Sequence, residues 1–143
     1  MKVKYYDLEN KRVFITGGGS GIGASIVEHF CEQGSEVYFI DINVSESEKL
    51  IEDIKSKKYS IPTFIECDLL NIKQLQKIIA DIIDQKGPID ILINNAANDT
   101  RHKIDDVTEE YWNERMNVNL RHYFFTVQSV KKSMIENKGG VIV

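Results

Sequence analysis

Thr16-Gly17-Gly18-Gly19-Ser20-Gly21-Ile22-Gly23 stands between Arg12-Val13-Phe14-Ile15-Thr16, a run that reads as a strand, and a segment in which Ile22, Ile26, Val27 and Phe30 recur at helical spacing until Gly34. A glycine cluster alone also fits a tight turn. Its place decides the reading here, because a strand that opens through glycines into a helix aims backbone N–H groups and the positive end of the helix dipole at one spot, which favours a phosphate. A nucleoside-triphosphatase loop would need Lys and then Ser or Thr after Gly23, whereas this chain has Ala24-Ser25 and lacks the cation that reaches the terminal phosphates.

Outward from the loop, apolar runs and helix-period segments alternate, the pattern of βαβ units and a parallel sheet. Glu36–Asp41 reads as a second strand, and Ser45 with Glu48 as a capping box for a helix that turns Leu50, Ile51 and Ile54 inward. Pro62–Glu66 reads as a third strand. Asn71 caps a helix whose face is Leu75, Ile78, Ile79, Ile82 and Ile83, ending at Gly87-Pro88, and Ile89–Asn94 is the fourth strand. From Thr108, an N-cap, a long helical pattern through Trp112, Met116, Leu120, Phe124, Val127 and Val130 runs towards Gly139-Gly140, bent or broken on the way. Val141-Ile142-Val143 opens a fifth strand. The expectation is an α/β fold, a doubly wound parallel sheet of the Rossmann type with strand order 3-2-1-4-5, forming one domain over residues 1–143 and truncated after the start of strand 5.

Composition excludes several functions. With 18 basic against 22 acidic residues spread along the chain there is no positive stripe for nucleic acid. No apolar run reaches the ~18 residues that span a bilayer, and the start, Met1–Asp7, lacks the apolar core of a signal peptide, so a cytoplasmic location is expected. Cys31 and Cys67 read as small core residues, and no carboxylates or thiols recur with His102 and His122 at metal-ligand spacing. Asp41 closes the second strand eighteen positions after Gly23, where, unless it is an ordinary exposed Asp, its carboxylate can accept from ribose hydroxyls and repel a 2'-phosphate, and neither Ile42 nor Asn43 supplies a compensating cation. NAD is favoured over NADP.

Thr16-Gly-x-x-x-Gly-x-Gly23 resembles the cofactor motif of the short-chain dehydrogenase/reductase family, and Asn94-Asn95-Ala96-Ala97 resembles its Asn-Asn-Ala-Gly motif, with Ala97 where glycine is usual. The resemblance implies NAD contacts from Thr16, Gly17, Gly19, Ser20, Gly21, Ile22, Gly23, Asp41, Ile42, Asn94, Asn95, Ala96 and Ala97. It adds Asp68-Leu69 as an adenine-contacting pair, although Asp68 before a helix serves equally as a cap. Asn119 matches the Asn of the family's proton relay, which fixes a helix kink and holds a water; an Asn inside a helix also interrupts the backbone ladder. The relay's Ser and Tyr-x-x-x-Lys are not found: four residues after the six tyrosines stand Glu9, Asn10, Ile42, Thr63, Arg115 and Val127.

Asn98-Asp99-Thr100-Arg101-His102, with Tyr111–Arg115 and Asn119–His122, is similar to bacterial short-chain sugar dehydrogenases of the D-xylose-oxidising type, which oxidise an aldose at C1. That implies a sugar substrate near Asn98, Asp99, Arg101 and His102, unless these form a solvated turn, and a homo-oligomer through the helix from Thr108. The expectation is therefore an NAD-dependent sugar dehydrogenase present as a truncated chain, inactive alone. The alternatives are a non-catalytic NAD-binding or interaction module and half of a split enzyme.

Overall fold

The structure is a computed structural model that describes residues 3–143; Met1 and Lys2, part of the stretch read above for a signal peptide, lie outside the described residues. Its elements run β1 (Arg12–Thr16), α1 (Gly21–Glu32), β2 (Glu36–Asp41), α2 (Val44–Ser56), β3 (Thr63–Glu66), α3 (Ile72–Lys86), β4 (Ile91–Asn94), α4 (Glu109–Met116), a π-helical turn (Asn117–Arg121), α5 (His122–Glu136) and β5 (Val141–Ile142). The five strands form one parallel sheet in the order β3-β2-β1-β4-β5.

Strand alternation builds two cores. Val13, Ile15, Val37, Phe39, Ile91 and Ile93 face α1 and α2, while Phe14, Tyr38, Ile40 and Leu92 face α3 and α5. Both faces are covered, which is why the strands read as continuous apolar runs rather than alternating ones. Because β1 has β2 on one side and β4 on the other, the chain winds away from β1 in both directions, and a crevice opens above its carboxyl end.

Four local expectations need correction. Helix α2 is capped by Asn43, whose side chain accepts from Glu46 N, so Ser45 and Glu48 lie inside the helix and form no capping box. β3 begins at Thr63 and β4 at Ile91, since Pro62 has no N–H for a ladder and Ile89 and Asp90 precede the paired register. Ile22 is 76% exposed rather than on the inner face of α1. Of the helical pattern that begins at Thr108, Trp112, Met116, Leu120 and Phe124 are exposed as well, whereas Val127 and Val130 pack inward, and the buried face of α5 is His122, Thr126, Val130 and Met134. That face meets the polar carboxyl ends of β1 and β4, where Thr126 Oγ1 donates to Asn94 Oδ1 at 2.7 Å, so hydrogen-bonding side chains displace apolar ones there. Among the described residues no helix is long and apolar enough to cross a membrane.

Candidate nucleotide site

A cleft of about 790 Å³ opens over the carboxyl ends of β1, β2 and β4. Its walls are the glycine loop (Gly17, Ser20, Gly21, Ile22, Gly23), the end of β2 (Asp41, Ile42), the turn after β3 (Cys67–Leu70), the turn after β4 (Asn95–Asp99) and Val118.

Two glycines let the loop pass this close. Gly17 has φ +66°, and a Cβ there would lie 2.8 Å from Cα and Cβ of Ala96; a Cβ on Gly23 would overlap the carbonyl oxygen of Gly17 and crowd Asn95 Nδ2 at 2.6 Å. The first turn of α1 thereby comes down onto the loop with no side chain between them. Asp41 braces the other side: Oδ2 accepts from Gly19 N at 2.8 Å and Oδ1 from Asn43 N at 2.9 Å, which fixes the carboxylate plane at the cleft edge.

Thr16 and Asn95 stand behind this wall. Thr16 is fully buried, and its Oγ1 accepts from Asn95 N and Ala96 N, both at 3.1 Å. Asn95 Nδ2 donates to the carbonyls of Thr16 (3.1 Å) and Gly17 (2.9 Å), tying the turn after β4 to the glycine loop. Asn94 does not line the cleft; it holds Thr126. Ala97 carries its Cβ without strain, because Asn10, Lys58 and Lys138 are the only non-glycine residues of the described chain with positive φ. Asp68 Oδ1 accepts from Leu70 N at 2.9 Å, the local bond of a turn, and Asn71 is the residue that caps α3. Burial, and secondarily Asp68, push the nearby Cys67 thiol up to about 11, so it stays protonated.

These features coincide with a family. A model of the short chain dehydrogenase family matches residues 11–143. The chain belongs to that family. It is 45% identical to a D-xylose 1-dehydrogenase of Caulobacter vibrioides over 97% of this chain and 54% of that protein. It is 41% identical to a protein of Rhizobium meliloti described as a galactose dehydrogenase, over 98% of this chain and 55% of that protein. A solved short-chain dehydrogenase/reductase from Burkholderia xenovorans superposes with a TM-score of 0.89 at 25% identity, covering 96% of this chain and 54% of that one. The chain thus spans about half the length of the relatives it matches.

With the family in view, the segment from residue 98 onward divides. Asn119, in the π-turn, clamps Asn98 with both ends of its amide: Oδ1 accepts from Asn98 N at 2.7 Å and Nδ2 donates to Asn98 O at 3.0 Å. Asn98 Oδ1 closes a local turn on Thr100, whose carbonyl accepts from Tyr111 OH at 2.8 Å. Asn98 and Asp99 line the cleft; Arg101 and His102 do not, and the His102 ring packs at a tilt of 41° against Tyr111 with centroids 4.0 Å apart. The residues that sequence reading missed are His122, Tyr123 and Thr126, all bonded to the carboxyl ends of β1 and β4 or the turn after β4: Tyr123 OH donates to Ala96 O at 3.2 Å. The available signal was a polar pair, His122 and Thr126, at i,i+4 and in line with the apolar Val130 and Met134.

Proposed function

We propose that this chain is the nucleotide-binding part of an NAD-dependent short-chain dehydrogenase that oxidises an aldose at C1. One observation carries the reading: the cleft is floored by loop atoms that tolerate no extra Cβ at Gly17 or Gly23, and is edged by an Asp41 carboxylate already oriented by two backbone N–H groups. A dinucleotide fits such a site. Gly21 has nothing within 4 Å of the place a Cβ would take, so backbone at the start of α1 lies open to a pyrophosphate. Asp41 would accept from the adenosine ribose hydroxyls, Ile22 and Ile42 would offer apolar surface, and Asp68-Leu69 would flank the adenine. Ala96, Ala97 and Val118 would line the nicotinamide end. When bound, the nicotinamide supplies the acceptor for the hydride that leaves the sugar carbon.

The residues of this chain bind and orient. Asp41 disfavours a 2'-phosphate by like charge, which favours NAD over NADP. Asn119 holds the turn at Asn98, and with it the wall where the sugar would enter beside Asn98 and Asp99. The names of the Caulobacter and Rhizobium relatives support an aldose as substrate.

NADH formation with saturating NAD and a panel of aldoses, measured on the full-length protein and on the 143-residue chain, tests this. Turnover of D-xylose or D-galactose by the full-length protein, with none by the 143-residue chain, is expected, because general acid–base help from the Tyr-x-x-x-Lys pair is worth ~10²–10⁴ in rate. A full-length protein inert to every aldose would refute the substrate class, and turnover by the 143-residue chain alone would place the acid–base group elsewhere.

A further inference from the structure

His122 is fully buried in α5, below the cleft. Its Nε2 lies 3.4 Å from Thr16 Oγ1, and its Nδ1 meets the carbonyl of Val118 inside the π-turn. A hydroxyl has one proton and two lone pairs. Both lone pairs of Thr16 are taken by Asn95 N and Ala96 N, so its proton is what remains for Nε2. Nε2 must then be bare and the ring proton must sit on Nδ1, where Val118 O is waiting to accept it. Every polar atom of the Thr16–His122 pair is satisfied in this one arrangement, and no other tautomer satisfies it. Burial also holds the imidazole neutral.

We propose that His122 is a positioning residue that holds the Thr16 hydroxyl, and through it the Asn95–Ala96 turn and the glycine loop, in the geometry that receives the nucleotide. The chain of contacts is continuous. Val118 O fixes the ring, the ring fixes the Thr16 proton, and Thr16 Oγ1 fixes the two N–H groups of the turn. Asn95 Nδ2 then reaches the carbonyls of Thr16 and Gly17. The same ring anchors the π-turn from which Asn119 clamps Asn98. One side chain thereby joins the floor of the cleft to the wall at Asn98.

The inference rests on the nucleotide reading of the cleft, and the test separates the two. In the full-length protein without nucleotide, long-range proton–nitrogen correlation should show His122 protonated at Nδ1 and bare at Nε2; the opposite tautomer would overturn the proposal. His122→Phe should speed amide exchange at Asn95 and Ala96 and weaken NAD binding about 3- to 10-fold, the worth of one buried hydrogen bond. His122→Gln, which can set an oxygen where Nε2 stands, should recover most of both. A folded His122→Phe protein with unchanged exchange and NAD affinity, or a Gln variant no better than Phe, would also overturn it. If His122→Phe does not fold, the tautomer and the exchange rates of His122→Gln against His122→Asn, which restores only the Val118 contact, decide the matter. Wild-type protein that binds no NAD while showing the tautomer and the exchange pattern would refute the nucleotide reading and support the positioning of the turn.

Discussion

At the scale of single residues, the site depends on side chains that are missing as much as on those present. Gly23→Ala pushes a methyl group into the carbonyl of Gly17, which cannot retreat because Asn95 Nδ2 and β1 hold it. The expected cost is ~1–3 kcal/mol of stability by overpacking, read from urea unfolding, together with loss of nucleotide binding. Thr16→Val keeps the shape of the side chain but leaves Asn95 N, Ala96 N and His122 Nε2 without their partner. A drop of ~1–3 kcal/mol is expected from the unpaired groups, and a Val variant as stable as wild type would show that those bonds contribute little. The glycines and Asp41 were legible in the sequence because their spacing is local. The roles of Thr16 and Asn95 as braces were not, since each acts across about 80 positions of chain, 79 in the case of Asn95 N to Thr16 Oγ1.

At the scale of elements, the sequence predicted each strand and helix to within a few residues, because burial of both sheet faces writes a strong apolar signal. The region of α4, the π-turn and α5 is where pattern and structure part. The helical pattern runs through Trp112, Met116, Leu120, Phe124, Val127 and Val130; the first four are exposed, Val127 and Val130 pack on the core, and the sheet-facing positions also include His122 and Thr126, whose partners on β1 and β4 no local pattern reveals. His122 gives this element a pH dependence with a definite sign. Burial lowers its pKa from 6.5 to about 4, so between those values the unfolded chain binds the extra proton. Its contribution to stability is therefore intact above pH 6.5, declines as pH falls towards about 4 and stops changing below that. The total is on the order of 3 kcal/mol by proton linkage. His122→Gln should remove this share of the acid slope in unfolding measured across that range, and an unchanged slope would contradict the burial argument. Asn119→Ala should free the Asn98 amide, seen as faster hydrogen exchange at residues 98–100 with the core strands unaffected.

At the scale of the whole molecule, exposed apolar side chains recur every four residues along α4, the π-turn and α5: Trp112 (59% exposed), Met116, Leu120 and Phe124 (64% exposed). Such a face favours association, and we expect a homo-oligomer that buries it. Phe124→Glu should shift the full-length protein towards monomer in sedimentation while leaving NAD affinity in place; a wild-type monomer would contradict the expectation. The cleft above β1 is proposed as an NAD site whose selectivity lies in Asp41. Calorimetric titration of the wild-type and Asp41→Ala proteins with NAD and with NADP tests it most directly. Tighter binding of NAD by wild type is expected, by ~1–3 kcal/mol from like-charge repulsion, with a preference that narrows once the carboxylate is gone. Equal or tighter binding of NADP by the wild-type protein would contradict it.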